Sequence, residues 1–386
     1  MGALQEISPV TEQASLERRL LVRFWQTASS FWRGRWARVA WGVTIFLVLV
    51  VLAQLLVQLL LNLWNRNFFD ALQRRDAAAL WEQAKLFLPL ALASIVLAAT
   101  SVWGRMTAQR RWRECVTRQV IEYWLAKDRF RRLNEIANGS ENPEYRISED
   151  VRIATDAPID LVLAFLASVL TAITFMSVLW RVGGSLTFDA FGRAWTIPGY
   201  LVIGVIAYST VFSTAMVFVG RRLTTVIERK NQAEAELRAA ADRLRQNSGG
   251  TIASGNETAE RRTLWLALHT ALARWLGLLW QLVGTTLVSH SNSVLAPVLA
   301  LFLCVPKFLA GSMSLGELTQ SAAAFVTVQS AFNWLVDNYG RLADWRSSVN
   351  RVASLLLALD ALAASERIEE ETRSEPVHEL KPARQR

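Results

Sequence analysis

In "VSHSNSVLAP" (288–297), Ser289, His290, Ser291 and Asn292 place polar side chains in an otherwise apolar run, and Pro297 follows. An imidazole at His290 takes up and releases a proton near neutral pH, and the proline can open the backbone locally. Polar groups are costly in hydrocarbon. Each therefore reads as part of a wet path, or else as a hydrogen bond between packed helices. A second set lies downstream. Glu317, Gln320 and Ala324 share one face at helical spacing, and Asn333 and Asp337 are four apart. These line a cavity, or Glu317 simply reaches water. Glu228, Glu234 and Glu236 stand in a run whose acids and bases alternate at three- and four-residue spacings, the pattern of a solvated, ion-paired helix. The string nearest to a phosphate-binding loop is "GTIASGNE" (250–257). Asn256 and Glu257 stand where lysine and Ser/Thr belong, and no βαβ pattern surrounds it. No nucleophile–base pair or metal motif is found either. Cys115 and Cys304 are the only cysteines and fall in unrelated contexts, which supports neither a disulfide framework nor a zinc site. The expectation is a chain with no ATPase, cofactor or metal of its own.

The elements that position these residues are apolar runs. The chain is 52% hydrophobic, with 16 Trp and a mean hydropathy of +0.22. Runs at about 39–64, 86–104, 159–180, 197–220, 283–306 and 315–339 each approach the roughly 20 residues a helix needs to cross hydrocarbon. Residues 264–282 read as an amphipathic cytoplasmic segment. Trp64, Trp103, Trp180, Trp195 and Trp334 fall near span ends, as an aromatic belt requires. Small residues at 321–324 allow close packing of the sixth helix. The N-terminus shows no signal-peptide pattern, and Glu6 removes the myristoylation motif after Gly2.

Six spans put both termini on one side. Lys and Arg divide 35 to 7 in favour of the side carrying the termini and the two long connections, which makes that side cytoplasmic. The net charge of +9 is thereby explained without nucleic acid. The two long connections lack proline over "GRMTAQRRWRECVTRQVIEYWLAKDRF" and "GRRLTTVIERKNQAEAELRAAADRLRQ" and are rich in helix formers. The spans are therefore expected to run on as helical hairpins. "NPEYRISEDVR" (142–152) marks the hinge that starts the third. Asn142 suits an N-cap, Pro143 the first turn and Glu144 the positive helix end. Arg146 is expected to face Glu149 and Asp150, and Glu149 to face Arg152. Residues 1–38 form a cytoplasmic N-terminus whose amphipathic elbow helix, with Leu16, Leu20, Leu21, Phe24, Trp25, Phe31 and Trp32 among arginines, lies on the inner membrane face. Residues 39–345 form the transmembrane domain. Residues 346–386 read as a charged, disordered tail or linker stub.

Taken in order, "NRNFFDALQ" (65–73), "NPEYRISEDVR", "ERKNQAEAELR" (228–238), "LRQNSGGTIASGNETAERR" (244–262) and "VPKFLAGSMSLGELTQSAAAFVTVQSAFNWLVDNYGRLADWRSSVNR" (305–351) resemble the membrane domain of the SbmA/BacA peptide-uptake transporters. They also resemble its ATPase-fused relatives, the bacterial peptide and vitamin B12 transporters and the peroxisomal acyl-CoA half-transporters. The resemblance spans about residues 15–355. It implies an all-α membrane protein with an ABC-exporter-like (type IV) fold: six long helices in a domain-swapped homodimer around a central cavity. It implies import of peptides or similar bulky hydrophilic solutes across a bacterial inner membrane. The drive is either protons or a nucleotide-binding subunit on another chain. Full length would favour the bare permease. Acyl-CoA or other amphipathic cargo and a non-transporting scaffold are the alternatives. The resemblance marks Glu228 and Asn231 for proton or conformational coupling and the hinge residues Asn142, Pro143, Glu149 and Asp150 for gating. Phe68 and Phe69 then close an outer gate or touch substrate, or belong to a plain interfacial loop.

Overall fold

The computed structural model describes residues 9–136, 142–190, 193–247 and 254–374. Hydrocarbon offers no hydrogen-bond partner to the backbone, so apolar runs of this length fold as helices. In chain order these are α1 (Pro9–Ala28), α2 (Ser30–Arg33), α3 (Ala37–Arg74), α4 (Ala77–Leu125), α5 (Arg129–Ile136), α6 (Pro143–Tyr145), α7 (Val151–Gly183), α8 (Tyr200–Gly220), α9 (Leu223–Asn247), α10 (Ser254–Leu309), α11 (Leu315–Phe332) and α12 (Trp334–Ser374). A π-helical turn, Arg146–Asp150, joins α6 to α7. Among the described residues, six helical stretches are long and apolar enough to cross a membrane.

The expected spans are the apolar parts of longer helices. The first does not end at residue 64. "NRNFFDALQ" is helical and belongs to α3, so it is no loop. The amphipathic segment and the fifth span are one uninterrupted helix, α10. Residues 185–190 and 193–198, expected to be loop and the start of a span, pair as antiparallel strands. These are β1 (Ser185–Ala190) and β2 (Arg193–Pro198), with Ser185 opposite Pro198. Gly199 follows β2 at φ +61, where a Cβ would also lie 2.2 Å from the Trp180 ring.

The chain divides into two units. The first comprises residues 1–58, 89–167 and 337–386. Its core joins Phe24, Ala28 and Phe31 of α1 and α2 to Trp112, Val116 and Val120 of α4, Val151 and Ala154 of α7, and Val349, Val352, Leu356 and Leu359 of α12. The four-residue spacing on α4 and the three-and-four spacing on α12 each make one apolar stripe. Two expectations change here. The elbow turns Phe24 and Phe31 into protein and leaves Leu21, Val22 and Trp25 exposed, so its apolar residues serve two faces. Residues 346–374, expected to be disordered, are helical and carry much of this core. The charged stretch after Ser365 had masked the stripe at 349–362; residues 375–386 lie outside the described residues.

The second unit comprises residues 59–88 and 168–336. In it α10 packs on α8, α9 and α11, and α11 on α8. Phe175, Leu179, Leu201, Val205, Ala300, Cys304 and Phe325 are buried within this unit.

Leu356 is 2% exposed, so Leu356→Ala is expected to destabilise the protein by about 2–5 kcal/mol through lost burial and a residual cavity. Thermal unfolding in detergent measures this; an unchanged midpoint would remove α12 from the core.

Candidate functional site

The first unit's helices beyond the apolar spans are held by ion pairs, most of which reach α12. Asp150 is completely buried in the π-helical turn and accepts from Arg351 Nε (2.8 Å) and Nη2 (2.6 Å). A bidentate guanidinium satisfies both carboxylate oxygens and fixes the angle between helices. Arg146 Nη1 donates to the Arg351 carbonyl (3.3 Å) and to Ser354 Oγ (2.8 Å). Farther along, Arg129 Nη2 donates to Glu366 Oε2 at 2.8 Å, with both side chains over nine-tenths buried. Arg23 Nη2 (2.9 Å) and the Tyr123 hydroxyl (2.8 Å) both donate to Asp360 Oδ1. Near the other end of this series, Asp160 pairs with Arg341 at 3.0 Å and Arg105 at 3.6 Å. The hydrogen bond from Arg129 holds the Glu366 carboxyl, which lies outside the apolar spans, below the ordinary glutamate range.

In the second unit, "NRNFFDALQ" caps the helix that carries Gln320. Asp70 Oδ1 accepts from Gly316 N (2.9 Å) and Gln73 Oε1 from Leu315 N (2.8 Å). Ser314 and Glu317 form a reciprocal capping box, and Arg66 pairs with Glu317 at 2.8 Å. Together these groups satisfy the free N–H groups of α11 and place carboxylates at its positive end. Gly316 is required because a Cβ there would lie 2.1 Å from the Arg66 carbonyl oxygen. Trp64 stacks on Phe68 at 5.2 Å, and Phe68 meets Phe69 edge-on at 5.6 Å.

Below this cap lies a set of buried polar groups. Asn62 Nδ2 donates to the Gln320 carbonyl (3.2 Å), and the Tyr208 hydroxyl to the Asn292 carbonyl (3.2 Å). Asn62 Oδ1, Gln320 Oε1, Gln329 Nε2, Ser209 Oγ and Asn292 Oδ1 are buried with no partner among the described residues. Each such atom costs about 1–3 kcal/mol unless water or a solute meets it. A concentration of them inside apolar helices is what a hydrated path requires.

The structure therefore sorts the predicted residues. Gln320 and Asn292 are buried in the polar set, whereas Ser289 and His290 are exposed on α10. Glu317 is committed to the cap and to Arg66. Asn333 ends α11, and Asp337 is exposed on α12. Phe68 and Phe69 belong to an aromatic stack. Asn142 occupies the N-cap position of α6, but its side chain makes no capping hydrogen bond, and Pro143 is buried at the first turn. Glu149 does pair with Arg152 (3.0 Å), whereas Asp150 takes its guanidinium from Arg351, not from a helical neighbour. Glu228 and Asn231 are exposed on α9, while Glu234 accepts from Trp275 Nε1 at 2.7 Å. "GTIASGNE" lies outside the residues whose side chains are described. Among the described residues no three His, Cys, Asp or Glu converge on a metal site. Sequence reasoning missed Asn62, Tyr208, Ser209 and Gln329. The signal for Asn62 was present: Gln54, Gln58 and Asn62 recur every four residues along an apolar run.

Residues 30–276 match the family described as ABC transporter transmembrane region 2. The chain is 28% identical over 330 residues to the Inner membrane ABC transporter ATP-binding protein YddA of Escherichia coli, covering 82% of this chain and 58% of that protein. It is 24% identical over 323 residues to an uncharacterized ABC transporter ATP-binding protein of Haemophilus influenzae, covering 82% and 54%. It is 20% identical over 352 residues to ABC transporter D family member 2, chloroplastic, of Arabidopsis thaliana, covering 90% and 47%. The chain thus spans about half the length of the curated relatives it matches.

The Glu366 carboxyl titrates lower when folded than when unfolded. Its contribution to stability is full above the ordinary glutamate range and is lost as pH falls below that range, through the lower folded-state value. Thermal midpoints between about pH 6 and pH 3 should fall less steeply for Glu366→Gln than for the native chain. Arg351→Ala leaves Asp150 buried without its guanidinium and is expected to cost about 1–3 kcal/mol. Arg351→Lys recovers the charge but not the fork, so its midpoint should lie between the two.

Proposed function

The chain belongs to the ABC transporter transmembrane region 2 family, and on that premise we propose that it is the membrane-embedded half of a dimeric transporter importing peptides or similar bulky hydrophilic solutes. The family match across residues 30–276 carries this reading. ATP hydrolysis is supplied by a nucleotide-binding domain outside residues 1–386, on a partner or on a longer form of the chain. In support, the relatives are named ATP-binding proteins and extend well beyond the matched region. Termini and long hairpins face the cytoplasm of a bacterial cell, as the 35-to-7 division of Lys and Arg indicates.

In this reading α12 is the lever. Its bond to Asp150 and those it accepts from Arg129, Arg23 and Tyr123 make it move with α4 and α7, so a push at the cytoplasmic ends reaches the apolar spans. The polar set around Asn62, Gln320 and Asn292 lies on the solute path. A second copy of the chain covers the exposed stripe of α10 that includes Leu272, Trp275, Leu276, Leu279 and Leu287. Glu228 and Asn231 belong to the coupling surface. Peptide specificity rests on the likeness to SbmA/BacA transporters.

Uptake of a fluorescent peptide by cells expressing the chain tests the proposal. Uptake should survive a protonophore and stop on ATP depletion; the reverse pattern would establish the proton-driven mode instead. Glu228→Gln and Gln320→Ala should each lower uptake about tenfold, the effect of about 1.4 kcal/mol on one step. Flux of acyl-CoA without peptide would replace the cargo, and dimerisation without any flux would leave a scaffold.

A further inference from the structure

Between the turn after α2 and the polar half of α4 lies a cavity of about 400 Å³, all of it within the first unit. Its charged and aromatic lining comprises Arg35, Trp36, Arg111, Glu114, Arg118 and Glu122. The Arg35 and Arg111 guanidiniums both lie over the Trp36 ring, 6.0 Å and 5.8 Å from its centroid. At these distances cation–π attraction holds both cations over the ring. Glu114 faces Arg111 at 3.8 Å and Arg118 at 3.7 Å. These ion pairs are long and half-exposed, so they are worth little and leave both signs of charge available to a ligand. The cavity also adjoins the start of α3, a 38-residue helix whose positive end favours an anion.

The depth of the site follows from the exposed apolar side chains. On α3 they begin at Val39 and Trp41. On α4 their continuous run ends at Met106, which is 63% exposed, and exposed apolar side chains return only at Ile121 and Leu125. Arg111 lies five residues farther, or about 7–8 Å along the helix. The headgroup layer on each side of the hydrocarbon is about 5–7 Å thick. Arg35, Trp36 and Arg111 therefore sit at the outer edge of the headgroup layer, Glu114 follows about one turn beyond Arg111, and Glu122 lies roughly 24 Å from Met106, out of reach of a headgroup. Val39 and Trp41 offer apolar surface for acyl chains on the membrane side.

We propose that this cavity binds the headgroup of a phosphoethanolamine lipid. Its phosphate lodges against Arg35 and Arg111, and its primary ammonium against Glu114, one turn farther along α4. The pairing of cations with a carboxylate selects the class. A glycerol headgroup brings no cation to Glu114. A quaternary ammonium has no N–H to donate to it. The site depends on the chain sitting in a bilayer, not on the cargo or the energy source of transport.

The test adds phosphatidylethanolamine, phosphatidylglycerol or phosphatidylcholine back to the delipidated, detergent-solubilised full chain. Bound lipid is counted by native mass spectrometry, with soluble phosphoethanolamine and inorganic phosphate as further arms. Phosphatidylethanolamine is expected to bind about tenfold better than the other two lipids, the effect of one charge-assisted hydrogen bond. The soluble compounds should not displace it. Arg35→Gln with Arg111→Gln should weaken it about tenfold, and Glu114→Gln should abolish the preference over phosphatidylcholine. Equal binding of the three lipids by the native chain would overturn the proposal without recourse to any variant. So would undiminished binding by variants of native helicity. Displacement by soluble phosphoethanolamine would overturn the lipid as the source.

Discussion

Hydrocarbon cannot hydrogen-bond to a peptide group, and most of this architecture follows from that constraint. Each apolar run must satisfy its own N–H and C=O groups, so it coils, and nothing at the membrane boundary obliges it to stop. Helices of 38, 49 and 56 residues result, in α3, α4 and α10. Even Pro89, Pro158, Pro297 and Pro306 are accommodated inside helices. The remaining unsatisfied groups are at helix ends, and the chain places its polar motifs there. The Asp70, Gln73, Ser314 and Glu317 cap of α11 is the clearest case.

Where the helices leave the apolar band, charge replaces lipid as the organising influence. Asp150, Asp360 and Glu366 each engage an arginine across a long sequence separation. Beneath these pairs an apolar seam runs from Trp112 to Leu359. Burial fixes the helices side by side, and the bidentate pairs fix their register. The combination makes α12 a rigid continuation of the bundle. A transporter of the proposed kind needs such a part, because a force applied to a flexible tail would be dissipated before reaching the spans.

The legibility of the sequence varied with the range of the interaction. Helix type and number were readable because the apolar runs are long and local. The Glu149–Arg152 pair was readable because it lies within one turn. The partner of Asp150 was not, since Arg351 is 201 residues away. "NRNFFDALQ" was readable as a motif but not as a cap, because the helix it caps begins some 240 positions later. The tail was misread because its average composition concealed the stripe from Val349 to Leu362. Ser289 and His290 looked like pathway residues beside Asn292, yet a rotation of about 100° per residue separates exposed from buried positions on one helix.

By itself the sequence determined an all-α membrane chain with six greasy segments and long helical hairpins. Those properties come from transfer energies and propensities that act over neighbouring residues. Only the tertiary structure decided which polar groups are spent on helix caps, which on ion pairs and which are left buried and unpartnered. Those assignments depend on what side chain arrives from a distant part of the chain, and no local pattern encodes that.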